Sequence, residues 1–305
     1  MFDFFRSRFE SWKKSINAKT DRKRSLEMYS KQMEVSESLR KFVSQNIPEK
    51  LFGEPARTGI GGKTKHVYNV VRLGERLVTD EVNPELLKIA LQLHDIGRSV
   101  QWNSTESFDD RVVNLRYIAL QMVEQFIRNE KCEITTYWMI IADVMQYHGV
   151  PHMYGFVCAT SMPYVKLVSL ADDIENGCNG ALGYLEDEKA RDDKGYIKEA
   201  PERDQRDCNP ELFGYLERGE KFNKMALCHT YAEYFVFAAM LAVNACINAG
   251  EIAKEAMKDL CYCYEDENGE QHWLDAVEGY CHIFEEHLHP EDAKIACEIM
   301  RKMCR

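Results

Sequence analysis

Residues 83–98 read Asn-Pro-Glu-Leu-Leu-Lys-Ile-Ala-Leu-Gln-Leu-His-Asp-Ile-Gly-Arg, and their character changes abruptly at His94. Asn83 supplies an N-cap, and Pro84 follows in the first helical turn, where its missing N–H costs nothing. Leu86, Leu87, Ile89, Ala90 and Leu93 then recur at helical spacing and define an apolar face. At the end of that face an imidazole and a carboxylate stand side by side, where a carboxylate buried without a partner is costly. A divalent cation would satisfy both, since imidazole offers a neutral nitrogen and the carboxylate a hard oxygen. A helix cap or a buried hydrogen bond would serve equally well, and the pair alone does not choose between them.

Working outward, similar polar intrusions recur on other apolar helix faces. His66 opens the amphipathic stretch KTKHVYNVVRL, in which Val67, Val70, Val71 and Leu77 share a side. In MQYHG, His148 follows Ile141, Val144 and Met145 at helical spacing and faces inward. In LVSLADDIEN, Asp172 extends the face of Val165 and Val168, whereas Asp173 is turned about 100° away, toward solvent. Each of these residues taken singly reads as a satisfied core or cap group.

Further helical periodicity covers roughly 111–128, 134–148, 162–176, 222–249, 251–264 and 290–303, and alternating strand patterns with hairpin turns are lacking. The fold class is all-α. Three segments interrupt it: 51–65, with four glycines and the cations Arg57, Lys63 and Lys65; the polar 98–110; and the highly charged 185–210. The expected organisation is an N-terminal helical extension over 1–50, a core over 51–215 and a C-terminal helical extension over 216–305 packed on that core.

The 305 residues are 45% hydrophobic and 29% charged, the composition of a globular protein, with a formal charge of -11. That charge argues against a nucleic-acid duplex or an anionic membrane as partner, because both select basic surfaces. A small phosphorylated molecule needs only a local cluster of cations. The opening MFDFFRSRFESWKK is broken by Arg6, Arg8 and Glu10 and does not read as a signal peptide. No apolar run reaches the about 18 residues that span a bilayer. Eleven cysteines are scattered from Cys132 to Cys304, and Cys261–Cys263 lacks the spacing and second pair of a metal site. A cytoplasmic protein with reduced thiols is the expectation, and a homodimer is left open. Gly62-Lys63-Thr64 resembles the end of a phosphate-binding P-loop, but Arg57 occupies the required glycine position.

The order of the pieces is more specific than any one of them. His66, then His94-Asp95 within Leu-His-Asp-Ile-Gly-Arg, then a polar loop ending in Asp109 and Asp110, then His148-Gly149 with a proline shortly after, then Leu170-Ala171-Asp172, resembles the HD-domain metal-dependent phosphohydrolase superfamily. The likeness runs over roughly 60–180 and is greatest to bacterial stand-alone HD hydrolases; NPELFGYLERGE continues it more weakly. It implies a helical bundle with His66, His94, Asp95 and Asp172 as ligands of one divalent cation (Mn, Mg, Fe, Zn, Ni or Co). It further implies phosphoester hydrolysis by metal-activated water, with a nucleotide as the expected substrate. Asp95, Arg98 and His148 would act in catalysis, and Lys63, Lys65, Arg98, Trp102 and His148 would contact the substrate; Tyr68 also flanks the ligands. Where two-metal relatives carry a further histidine this chain has Asn114-Leu115, so one metal is expected. That departure keeps a non-catalytic metal or nucleotide sensor or scaffold as the alternative. His287 and His289, near Glu285 and Glu286, read as a helix end, and Tyr215, Phe235 and Phe237 read as core packing.

Overall fold

In the computed structural model the described residues are 35–55, 59–105, 114–177, 203–222, 227–259 and 262–305. Arg57, the Asp109–Asp110 pair, Cys261, most of the 185–210 segment and most of the 1–50 extension lie outside them. The chain divides into two compact units, one of Met1–Ala56 with Ile60–Ala171 and one of Arg57–Gly59 with Asp172–Arg305.

The first unit is built from helices. α1 (Glu37–Gln45) starts at Ser36, whose hydroxyl accepts from the Leu39 amide, and a short α2 (Pro48–Phe52) follows. α3 (Gly59–Arg76) begins inside the glycine-rich segment that sequence alone treats as an interruption. α4 (Pro84–Leu93) opens on Asn83, whose side chain accepts from the Leu86 amide. α5 (Gly97–Thr105) occupies most of the segment expected to be a polar loop. α6 (Leu115–Asn129) is capped by Asn114, α7 (Thr136–Tyr147) ends at His148, and a 3-10 turn (Pro151–Phe156) follows. α8 (Met162–Glu175) is one continuous helix, and the division between the units falls inside it, after Ala171.

α4 and α7 form the centre of this unit. Leu86, Leu87, Leu91 and Leu93 are fully buried, as are Met139, Ile140, Ile141, Val144 and Met145. Burying each such aliphatic side chain contributes about 1.5–3 kcal/mol, which holds the ends of both helices, and hence His94 and His148, in fixed positions. Phe42, Phe126 and Trp138 pack edge to face or tilted at 5.0–5.8 Å and close one end of the core.

The second unit holds α9 (Glu211–Arg218), α10 (Tyr231–Ala249), α11 (Glu251–Asp259), strands β1 (Tyr262–Glu265) and β2 (Gln271–Leu274), α12 (Ala276–His287) and α13 (Pro290–Cys304). The antiparallel hairpin corrects the expected helix over 251–264. Tyr262, Cys263 and Tyr264 pair with Leu274, Trp273 and His272, and Gly269 takes φ 80° in the turn. Aromatic residues facing one another across an Asn-Gly turn favour a hairpin, which the helical period of Ala253, Ala256 and Met257 masks in sequence.

α10 is long and apolar enough to cross a membrane by length and composition, yet 61% of its most apolar window is buried in the protein. Its apolarity is that of a core helix, and the expectation that no such stretch exists is corrected to that extent. Glu233, fully buried, ties its start: it closes a capping box with Thr230 and accepts from Arg203 at 2.8 Å.

Candidate metal centre

α3 sets Lys63 and His66 three residues apart on one face, and the buried Thr64 hydroxyl donates to the Gly53 carbonyl at 2.7 Å, pinning the helix. α4 delivers His94 and Asp95 at its end, and α7 delivers His148 at its own. Two of the histidines are anchored alike. Nδ1 of His94 lies 2.7 Å from the Leu91 carbonyl, and Nδ1 of His148 lies 2.7 Å from the Val144 carbonyl. A carbonyl only accepts, so each ring donates through Nδ1 and turns its Nε2 toward the centre, the orientation a metal ligand requires.

The ring nitrogens of His66 and His94 converge on Asp95. His94 Nε2 is 3.3 Å from His66 Nε2, and Asp95 Oδ2 lies 3.8 Å from each of them. Asp95 Oδ1 faces the other way, 3.7 Å from Arg98 Nε and 4.0 Å from His148 Nε2. Lys63 Nζ closes on Oδ2 at 2.9 Å, with the two side chains only 12% and 7% exposed. Burial alone would push the Asp95 carboxyl up. The pull of Lys63, then His94, Arg98 and His66, outweighs that and holds it well below the usual carboxylate range.

His94, Asp95 and His148 form a group whose ligand atoms lie within 4.8 Å of one another, and Asp172 stands on the continuous helix α8, just past the division between the units. Two facing imidazole nitrogens with carboxylate oxygens around them are a donor set suited to a divalent cation, and they fit one better than they fit each other.

The neighbouring backbone explains the Ile-Gly-Arg that follows. A Cβ on Gly97 would stand 2.2 Å from the Leu115 carbonyl, so only glycine lets α5 begin beneath α6. Leu115 is buried and brings no ligand side chain to that place. Beyond His148, Gly149 takes φ 70° and donates its N–H to Ser169 at 3.2 Å, which turns the chain away from α7. Arg98 donates to Gln101 at 2.8 Å. Gln101 is fully buried and went unnoticed in sequence, although its position three residues after Arg98 puts it on the same helix face.

Other sequence candidates separate from this cluster. Lys65 is exposed, two residues round the helix from Lys63, and Trp102 is half-buried on α5. Tyr68 is exposed. Asp173, expected to meet solvent, is buried and salt-bridged to Lys221 at 2.6 Å; burial pushes its carboxyl up to about 6 against the pull of that lysine. The ring of His287 lies 4.6 Å from that of Phe235, and His289 lies 3.3 Å from Asp207. A further group of donors, Asp266, Glu270 and His272, sits in the hairpin turn, where Asp266 accepts from the amides of Asn268 and Glu270.

This helical unit gathers imidazole nitrogens and a carboxylate that could hold a metal ion. Residues 64–177 match the family model of the HD domain. No curated protein and no solved structure matches the chain.

Proposed function

We propose that this HD domain binds one divalent cation through His66, His94, Asp95 and Asp172 and hydrolyses a small phosphoester, with nucleotides as the substrate class. The observation that carries the reading is the convergence of the Nε2 atoms of His66 and His94 on Asp95 Oδ2 at 3.8 Å each. A divalent cation bound among these donors supplies Lewis acidity toward water and the phosphoryl oxygens.

The chain's own groups divide the remaining work. His148 faces Asp95 Oδ1 with its Nε2 and is in position to accept or return a proton at the reacting oxygens. Arg98 offers a planar fork to a phosphate, held in orientation by Gln101. Lys63 adds a second cation beside Asp95, and Lys65 and Trp102 extend the contacts to substrate outward.

The test is to strip the protein with chelator, reload it with Mn²⁺ and assay nucleotides and generic phosphomonoesters and phosphodiesters. Turnover that disappears with chelator, returns with Mn²⁺ and is absent in Asp95→Ala supports the hydrolase. Leu115, where two-metal relatives carry histidine, favours the second reading, a sensor that binds metal or nucleotide without turnover. Tight nucleotide binding with no product would decide for it.

A further inference from the structure

Asp95 is satisfied by an internal cation. The Lys63 ammonium lies 2.9 Å from Oδ2, the oxygen that also faces His66 and His94 at 3.8 Å, while Oδ1 is left to Arg98 and His148. Lys63 thus sits at the oxygen that the Nε2 atoms of His66 and His94 both face. An ammonium and a divalent cation sharing that oxygen repel one another with little water between them, because both side chains are nearly buried. A lysine stem is long, flexible and ends in a single point charge, so it can leave one oxygen for another at small cost. The fixed anchors of the centre have no such freedom: His94 and His148 are held by backbone carbonyls at 2.7 Å.

We propose that Lys63 is an exchangeable counterion: it neutralises Asp95 in the metal-free protein, is displaced from Oδ2 when the cation enters, and then holds a phosphate oxygen of the ligand. The inference rests on the metal-centre reading above and adds that metal and phosphate binding are coupled through a single side chain. Entry of the cation frees the lysine for phosphate, and phosphate that captures the lysine clears the oxygen for the cation. By linkage each ligand tightens the other to the same degree.

The experiment titrates Mn²⁺ into metal-free wild type, Lys63→Met and Lys63→Arg by calorimetry, without and with inorganic phosphate. Lys63→Met keeps the length of the side chain and removes the competing charge, so Mn²⁺ should bind about tenfold more tightly than to wild type in the absence of phosphate. Inorganic phosphate should bind the Mn²⁺-loaded Lys63→Met protein about tenfold more weakly, for want of one charge-assisted hydrogen bond. Lys63→Arg keeps the charge and should retain the coupling.

Weaker Mn²⁺ binding by Lys63→Met would overturn the proposal and make Lys63 an orienting partner of Asp95. Unchanged Mn²⁺ binding by that variant would overturn it too. Should wild type bind no Mn²⁺ at all, the metal-centre reading falls and takes the proposal with it, so the two failures are told apart by wild type alone. A readout needing no substitution runs beside these. Amine-reactive labelling of Lys63, followed by peptide mass spectrometry, should be faster in Mn²⁺-loaded than in chelator-treated wild type, and equal rates would sink the exchange.

Discussion

Asp95 and Glu233 are both buried carboxylates, at 5% and 0% exposure, and their partners differ in kind. Glu233 accepts from the backbone amides of Asn209, His229 and Thr230 at 3.1, 2.6 and 3.0 Å, and from one side chain, Arg203, at 2.8 Å. Asp95 meets five side chains within 4.0 Å: Lys63, His66, His94, Arg98 and His148. Backbone donors cannot leave without unfolding their segment, so the Glu233 network is a structural device that starts a core helix. Side-chain donors can exchange, and three of those around Asp95 are imidazoles, which are also metal ligands by type. The same burial marks a cap in one unit and a candidate metal centre in the other, and the identity of the partners tells them apart.

The sharpest way to break this comparison is to remove each carboxylate and read metal binding. Asp95→Ala should abolish Mn²⁺ binding, an effect beyond the roughly 10–100-fold that loss of an outer partner costs a metal site. Glu233→Ala should leave Mn²⁺ affinity as in wild type, by calorimetry. Equal losses in both would erase the distinction.

Stability should rank the other way. Glu233→Ala leaves the Arg203 guanidinium and three amides without their acceptor, and should cost about 3–5 kcal/mol by urea unfolding. A cost within about 0.5 kcal/mol, the level of an ordinary surface change, would show that water replaces the carboxylate and that the network is not structural.

Gly97→Ala joins the two properties. Its Cβ would be driven to within 2.2 Å of the Leu115 carbonyl, so α5 or α6 must shift. The expected loss is about 1–3 kcal/mol, with weaker Mn²⁺ binding because Asp95 moves with the turn. Lost stability with unchanged Mn²⁺ affinity would mean that the strain is absorbed on the α6 side.

Polar residues on apolar helix faces draw attention to His66, His94, Asp95, Asp172 and His148, but each taken singly reads as an ordinary core or cap group, and only their order marks them as a set. Helical phase also separates Lys63 from Lys65: the former shares the face of His66 and the latter does not, although the resemblance implies the same role for both. What one helix cannot report is what covers its far side. Asp173 was expected in solvent from the phase of α8, and Lys221, 48 residues later, buries and neutralises it. The β1–β2 hairpin was missed for a related reason, since its stability resides in pairs such as Tyr264 with His272 that sequence order separates. Helix starts were read more easily, Asn83-Pro84 above all, because a cap and its helix are neighbours in the chain.

That legible start supplies the smallest test and sharpens where in α4 the site resides. Asn83→Ala removes the side-chain oxygen that accepts from the Leu86 amide at 3.0 Å, and should cost about 1 kcal/mol by urea unfolding. The Asn83 N–H still donates to the Tyr164 hydroxyl at 2.8 Å, so the chain entering the helix stays tied. The fully buried Leu91 and Leu93 lie between the cap and His94, and they fix the far end independently of the near one. Mn²⁺ affinity should therefore stay at the wild-type value. A loss of affinity in Asn83→Ala would show that α4 moves as a rigid rod and carries a disturbance at its cap to the ligands at its end. The contrast between the two buried carboxylates would then belong to whole elements rather than to the partners of each side chain.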